Sequence, residues 1–206
     1  MGKDIEIEFT PKLKISNDEI TDFFNNEDEK RKIRDSIEKY LNVVKPDDPN
    51  DKVFQSRYSR FYRMVRRKRE WKEKYFKLLC TQKTNPKEVG DILAELYEPN
   101  KYIEISFASK MIATYDTKAP LVDNWVLKNL GLDSQWNKTR RNWGNDKEER
   151  IKCAVELYKA IEKWYKSDNS IVLIDKFDTA FPKNKKTISD TKKIDLILWR
   201  YREKDE

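Results

Sequence analysis

Arg57, Arg60, Arg63 and Arg67 recur three or four residues apart, the spacing that aligns side chains along one stripe of a helix. Arg66 falls in the same run. Guanidinium groups suit bidentate phosphate contact better than ammonium groups do, so this stripe is a candidate DNA-binding face. Phe54, Tyr58, Phe61 and Val65 repeat at the same spacing beside it. A helix that buries those aromatics turns the arginines to solvent. A merely solvated basic surface is the competing account. A second candidate is Trp136-Asn-Lys-Thr-Arg140-Arg141-Asn-Trp143, where two indoles bracket three cations. Indoles can stack on unpaired bases while arginines hold phosphates, or they can anchor a loop on the core.

What is missing narrows the chemistry. The chain has no histidine, which removes Ser-His-Asp and Cys-His catalysis, histidine proton shuttles and most zinc sites. Four glycines (Gly2, Gly90, Gly131, Gly144) cannot supply a phosphate-cradling loop or a dinucleotide fingerprint. Reactions therefore have to run on carboxylates, lysines, hydroxyls or a carboxylate-held metal. The Asp190/Asp195 and Asp175/Asp178 pairs lack the Asp…Glu-x-Lys arrangement of a metal-dependent nuclease, so neither a metal site nor a cofactor is expected.

The 206 residues carry 44 Lys+Arg against 37 Asp+Glu, a formal charge of +7. Between Lys52 and Lys87 thirteen basic and two acidic residues give a net +11, whereas 16–50 holds six basic and ten acidic residues, a net −4. One segment thus concentrates more positive charge than the whole chain, which favours a nucleic-acid partner. The length suits a single domain, and 25 aromatic residues, six of them Trp, supply a large burial per residue. No apolar run approaches the ~20 residues that span a bilayer and no signal-peptide pattern opens the chain. A soluble, cytoplasmic, monomeric protein is expected, with Cys80 and Cys153 as free thiols.

The elements that must position these residues read as mostly α. Asp4–Phe9 alternates apolar and charged residues, suggesting a short strand within an extended arm over 1–15. Helices are predicted over 17–25 and 27–42, and the Pro/Asx-rich 45–50 reads as a loop. A basic helix follows over 52–81, with a break near 66–69. Asn85-Pro86 reads as an N-cap and first-turn proline for a helix burying Val89, Ile92, Leu93, Leu96 and Tyr97. Phe107, Ala108, Met111, Ile112 and Tyr115 define the next helix. A short one runs from about Asp123 to a C-capping Gly131, and Ile151, Ala154, Val155, Tyr158, Ile161 and Tyr165 mark a long one. Ile171–Ile174 is a brief β-branched run, Lys183–Lys186 a solvated loop, and Ile188–Tyr201 the closing helix.

Residues 102–130, Tyr-Ile-Glu-Ile-Ser-Phe-Ala-Ser-Lys-Met-Ile-Ala-Thr-Tyr-Asp-Thr-Lys-Ala-Pro-Leu-Val-Asp-Asn-Trp-Val-Leu-Lys-Asn-Leu, are the most specific stretch. They resemble the catalytic-aspartate region of the helix–hairpin–helix DNA glycosylases, including bacterial 8-oxoguanine-glycosylase-like proteins. There a helix rich in small residues leads through a short loop to an apolar pair, an aspartate and an apolar helix. Here these correspond to Ser106–Tyr115, Asp116–Pro120, Leu121-Val122, Asp123, and the stretch through Trp125-Val-Leu127 to Leu130. Lys193-Ile-Asp-Leu-Ile-Leu-Trp199 resembles the closing element. Two departures stand out. Glu98-Pro-Asn-Lys101 lacks the glycines of the family hairpin. Where bifunctional members carry a nucleophilic lysine, this chain has Ser106, with Lys110 one turn later.

The resemblance implies a compact helical DNA glycosylase in which Asp123 stabilises positive charge on the sugar or activates water. The extrahelical base is expected against Tyr115, Trp125, Trp136 and Trp143. Arg57, Arg60, Arg63, Arg66, Arg67, Lys101, Arg140 and Arg141 would hold the DNA. Lys110 has three readings: a DNA contact, an alternative amine, or a solvated lysine. Without a lysine at the family position, a monofunctional reaction on a damaged or phage-type modified base is expected. Asp123 is equally an ordinary N-cap, and the alternative function is a non-catalytic nucleic-acid-binding or regulatory protein on the same helical scaffold.

Overall fold

Short polar side chains set most of the helix starts. In the computed structural model, which describes residues 8–64, 66–97, 102–143 and 146–202, Ser16 caps α1 (Asn17–Asn25) through a reciprocal capping box with Glu19. Asn26 accepts from Asp28 N and Glu29 N to start α2 (Glu27–Leu41), and Asp51 does the same for α3 (Lys52–Phe61). These caps answer backbone donors that a helix start leaves unpaired. The remaining helices are α4 (Arg69–Thr84), α5 (Val89–Tyr97), α6 (Ile105–Tyr115), α7 (Asn124–Asn129), α8 (Asp133–Arg141), α9 (Lys147–Tyr165), α10 (Ile171–Ala180) and α11 (Asp190–Arg200). Two single 3-10 turns, at 168–170 and 182–184, complete the order. Among the described residues the fold is all-α and no helix is long and apolar enough to cross a membrane.

Helix α6 lies at the centre, with α4, α5 and α9 against it, while α11 packs on α2, α7 and α10. An aromatic cluster ties α3 and α4 to α6. Tyr58 Oη lies 2.9 Å from Tyr75 Oη and 3.0 Å from Thr114 Oγ1, and it donates to the Lys110 carbonyl at 3.2 Å. Tyr75 Oη donates to the Phe107 carbonyl at 3.1 Å. The Tyr58, Tyr75 and Thr114 side chains are buried, so each hydroxyl needs a partner inside the protein to offset its desolvation, and the Lys110 and Phe107 carbonyls supply acceptors. Their bonds fix the helical turn that carries Lys110.

Several expectations are revised. The basic segment is two helices: α3 stops at Phe61, and Arg63, Arg66 and Arg67 lie in the connection to α4 rather than on a stripe with Arg57 and Arg60. Arg63 takes a left-handed conformation (φ 56°), while Met64 is completely buried and its N–H donates to the Ser59 carbonyl at 2.7 Å. Burying Met64 ends the helix. Asn85 C-caps α4 and Pro86 stays outside α5, because the Gln82 side chain binds both the N–H and the carbonyl of Lys87. The β-branched run at Ile171 opens α10. At the N-terminus the described part, 8–15, is an extended arm without strand pairing. Lys12 N and Lys14 N donate to the Leu130 and Asn129 carbonyls, both at 2.9 Å. The 4–7 portion of the alternating segment lies outside the described residues, as does the hairpin segment 98–101 with Lys101. Gly131 does end α7, in left-handed backbone (φ 65°) where a Cβ would collide with the Lys14 side chain. Cys80 and Cys153 are free.

Candidate active site

The segment from Asp116 to Asp123 is irregular backbone; Ser189 and Thr191 donate to its Thr117 and Lys118 carbonyls, and two further side chains hold the part next to Asp123. Ser109 Oγ on α6 accepts from Val122 N at 3.0 Å. Asp195 Oδ1 on α11 accepts from Leu121 N at 3.1 Å and from Tyr165 Oη at 2.9 Å. Leu121 and Val122 are buried, and the next residue, Asp123, caps α7 by accepting from Trp125 N (2.9 Å) and Val126 N (3.0 Å) with Oδ1. Its Oδ2 has no hydrogen-bond partner among the described residues. Asn129 Nδ2 donates to the Leu198 carbonyl at 2.7 Å and locks α7 to α11. Asp123 is thus delivered to a defined point by α6 and α11 together.

That point is one wall of a cavity of about 340 Å³. Asp123, Asn124 and Trp125 line one side, Ser106, Phe107 and Lys110 of α6 another, and Phe61, Tyr62, Arg63 and Arg67 a third, with Lys192 and Trp199 from α11. The cavity is therefore aromatic in its walls, and its charged groups are four cations against the two carboxylates Asp123 and Glu104. Trp125 is covered on its ring by Arg202, whose Cζ lies 3.7 Å from the centroid. Trp199 meets Phe61 edge-on at 6.0 Å, with the Arg63 guanidinium 5.8 Å from its ring.

Lys110 is the chemically distinctive member. Its Nζ donates to Ser106 Oγ at 2.8 Å and lies 4.9 Å from the Phe107 ring and 5.7 Å from Tyr62. Desolvation pulls its pKa down to about 8, with Lys192 and Arg63 pushing the same way and Asp123 and Glu104 opposing. An amine held there is available in neutral form near physiological pH, which an ordinary lysine is not. Lys192 is lowered too, by the same loss of water against the attraction of Asp195 and Asp123. Asp195, buried beneath them, is raised to about 6 by burial, which outweighs the pull of Lys192 and its two hydrogen bonds.

The structure thus brings Asp123, Lys110, Trp125, Arg63 and Arg67 together, and it corrects the reading of Lys110 as a solvated lysine. Arg67 is not a free phosphate contact. Its Nη2 binds the buried Glu104 at 2.8 Å and its guanidinium sits 4.9 Å from the Phe107 ring. Three expected base contacts lie elsewhere. Tyr115 is at the far end of α6, its hydroxyl without a hydrogen bond and in the field of Asp48 and Cys80. Trp136 is buried between Phe9 (6.2 Å) and Trp143 (5.2 Å), so the bracketing indoles anchor α8 on the core. It lines a second groove, with Asp123, Asn124 and Arg140, that shares Asp123 with the cavity. Trp143 faces a separate groove with Arg140, Arg141 and Arg150. Arg57, Arg60, Arg66, Arg140 and Arg141 are exposed.

Lys192, Trp199, Tyr62 and Ser106 are cavity residues that the sequence did not mark as a set. Lys193, the lysine of the closing element, points instead into ion pairs with Asp178 and Asp190, each at 2.8 Å. Among the described residues no three Asp, Glu or Cys side chains converge as a metal-holding group. No protein-family model matches the chain, and no curated protein or solved structure matches it.

Proposed function

We propose that the protein is a DNA glycosylase that excises a damaged or modified base through Lys110 and Asp123. The observation that carries this reading is the meeting of a desolvated amine and a helix-capping aspartate on one aromatic cavity, with the exposed Arg63 on its wall. The extrahelical base enters between the aromatic walls, and its sugar faces Lys110 and Asp123. As the glycosidic bond stretches, positive charge grows on the sugar and the Asp123 carboxylate stabilises it. The neutral Lys110 amine attacks C1′, and the bonding electrons leave with the base, which then takes a proton. Loss of the proton from the new C–N bond's nitrogen opens the sugar ring, O4′ becomes a hydroxyl, and a protonated Schiff base joins Lys110 to the strand. This chemistry uses the lysine as nucleophile in place of the water of a monofunctional reaction, because the amine is held out of solvent where it can react.

The test offers duplexes carrying oxidised, alkylated, deaminated or phage-type modified bases. Release of one class is expected, and its loss in both Asp123→Asn and Lys110→Gln with DNA affinity kept. No release from any duplex would favour a non-catalytic DNA-binding protein. Release that survives in Lys110→Gln would move the reaction back to water.

A further inference from the structure

The cavity holds another lysine, this one buried, that the reaction above does not use. The Lys192 side chain is 5% exposed, and its Nζ is 3.9 Å from Asp195 Oδ2 and 4.5 Å from the centre of the Tyr40 ring. It makes no hydrogen bond to any described residue, and it lines the same space as Lys110 and Asp123. Asp195 Oδ1 is already taken by Leu121 N and Tyr165 Oη. An ammonium this little exposed, held by one long ion pair and the faces of Tyr40 and Phe61, keeps hydrogen-bonding capacity to spare, and it offers only donors. What completes it is an acceptor arriving in the cavity. The walls beside it, Phe61 and Trp199, offer ring surface to a flat ring rather than a fit to a tetrahedral phosphate.

We propose that Lys192 reads an exocyclic carbonyl oxygen on the extrahelical base, so that the preferred substrates are bases with a carbonyl where their amino counterparts carry a donor. This rests on the glycosylase reading for its reaction, though not for its binding. An amino group at that position would set donor against donor, and the mismatch is penalised because neither group supplies the acceptor the other needs. In the reaction the electrons of the broken bond spread into the departing ring and onto that oxygen. The Lys192 hydrogen bond therefore strengthens as the bond breaks, favouring the transition state over the bound substrate.

The experiment measures affinity for uncleavable duplexes with a single fluorinated arabino-nucleotide opposite a tetrahydrofuran gap, so that pairing strength does not differ. Hypoxanthine is compared with adenine and uracil with cytosine, and a duplex lacking any base at the site serves as reference. Wild type is expected to prefer the carbonyl member of each pair by about tenfold or more, the range of a hydrogen bond to a charged group. Lys192→Gln is expected to erase most of that ratio, since an amide offers both donor and acceptor. The Lys192→Met/Asp195→Asn double variant removes charge and countercharge together and keeps the comparison readable if the single variant does not fold. Equal affinity for both members in wild type, or a preference that persists in the variants, overturns the assignment. So does an equal loss of affinity for the base-free duplex, which would make the acceptor a backbone phosphate. Base release is measured on the same proteins. A carbonyl preference without release would fault the glycosylase reading alone, and release without the preference would fault Lys192 alone.

Discussion

The Lys110 cavity and the Trp136–Trp143 segment are made of the same materials, aromatic rings and cations, arranged in opposite ways. Around Lys110 the rings come from α3, α6, α7 and α11 and leave a space between them, and the two lysines there, Lys110 and Lys192, are drawn in from solvent while Arg63 stays exposed. At α8 the two indoles close on each other and on Phe9, while Arg140 and Arg141 stay in water. A cation's pKa falls where its water is taken away without a full countercharge. Lys110 and Lys192 are both shifted by desolvation. Composition alone does not make a reactive site. What matters is whether several elements meet around a gap or one element folds onto the core.

This contrast can be broken at either end. Trp136→Ala should destabilise the fold by about 3–5 kcal/mol, as truncation of a buried indole does, measured by denaturant unfolding, and any remaining folded protein should keep its reactivity at Lys110. Asp123→Asn should do the reverse. The amide still caps α7, so stability should change by less than about 1 kcal/mol, while base release falls roughly 10²–10³-fold with the lost charge.

A smaller effect distinguishes the amines by pH. With Lys110 pulled to about 8, the neutral fraction and the rate of the amine step should rise about tenfold between pH 7 and 9 and then level off. A flat profile would mean that the amine is not the attacking group. Folding should respond with a matching sign. Between about 8 and the ordinary lysine value the unfolded chain holds a proton the folded chain has shed, so this residue's contribution to stability rises with pH across that window. The smallest effect belongs to the solvated arginines. Reversing Arg140 and Arg141 to Glu should weaken binding to all DNA sequences alike and reduce the log–log salt slope by roughly 0.9 per lost phosphate contact, without changing the rate at saturating DNA.

Much of this architecture was legible in the chain because it depends on local chemistry. Asp123 at the head of α7 and Gly131 at its end specify backbone geometry through their own side chain or the lack of one, and both stand as expected. The buried face of α5 followed from spacing. The break after Phe61 was harder to place. Helical periodicity continues through Val65, and only the tertiary demand to bury Met64 stops it. The arginine stripe failed for the same reason, since it assumed helix where Arg63 and Arg67 sit in a turn. Asp123 and Lys110 were found together because a short stretch of sequence contains both. Lys192 and Trp199 lie about seventy residues further on, and nothing local marks them as cavity residues. The Trp136 and Trp143 indoles fitted stacking on a base as well as packing on a core, and only the position of Phe9 on the N-terminal arm decides between the two.

The most direct test of the account is borohydride reduction of the protein mixed with duplex DNA containing one abasic site, followed by mapping of the joined peptide. An abasic aldehyde needs no base recognition and no bond cleavage, so the measurement isolates the amine itself. A covalent adduct is expected on Lys110, forming faster at pH 9 than at pH 7, absent in Lys110→Gln and retained in Lys192→Gln. No adduct, or an adduct of undiminished yield in Lys110→Gln, would contradict the assignment of Lys110 as the nucleophile.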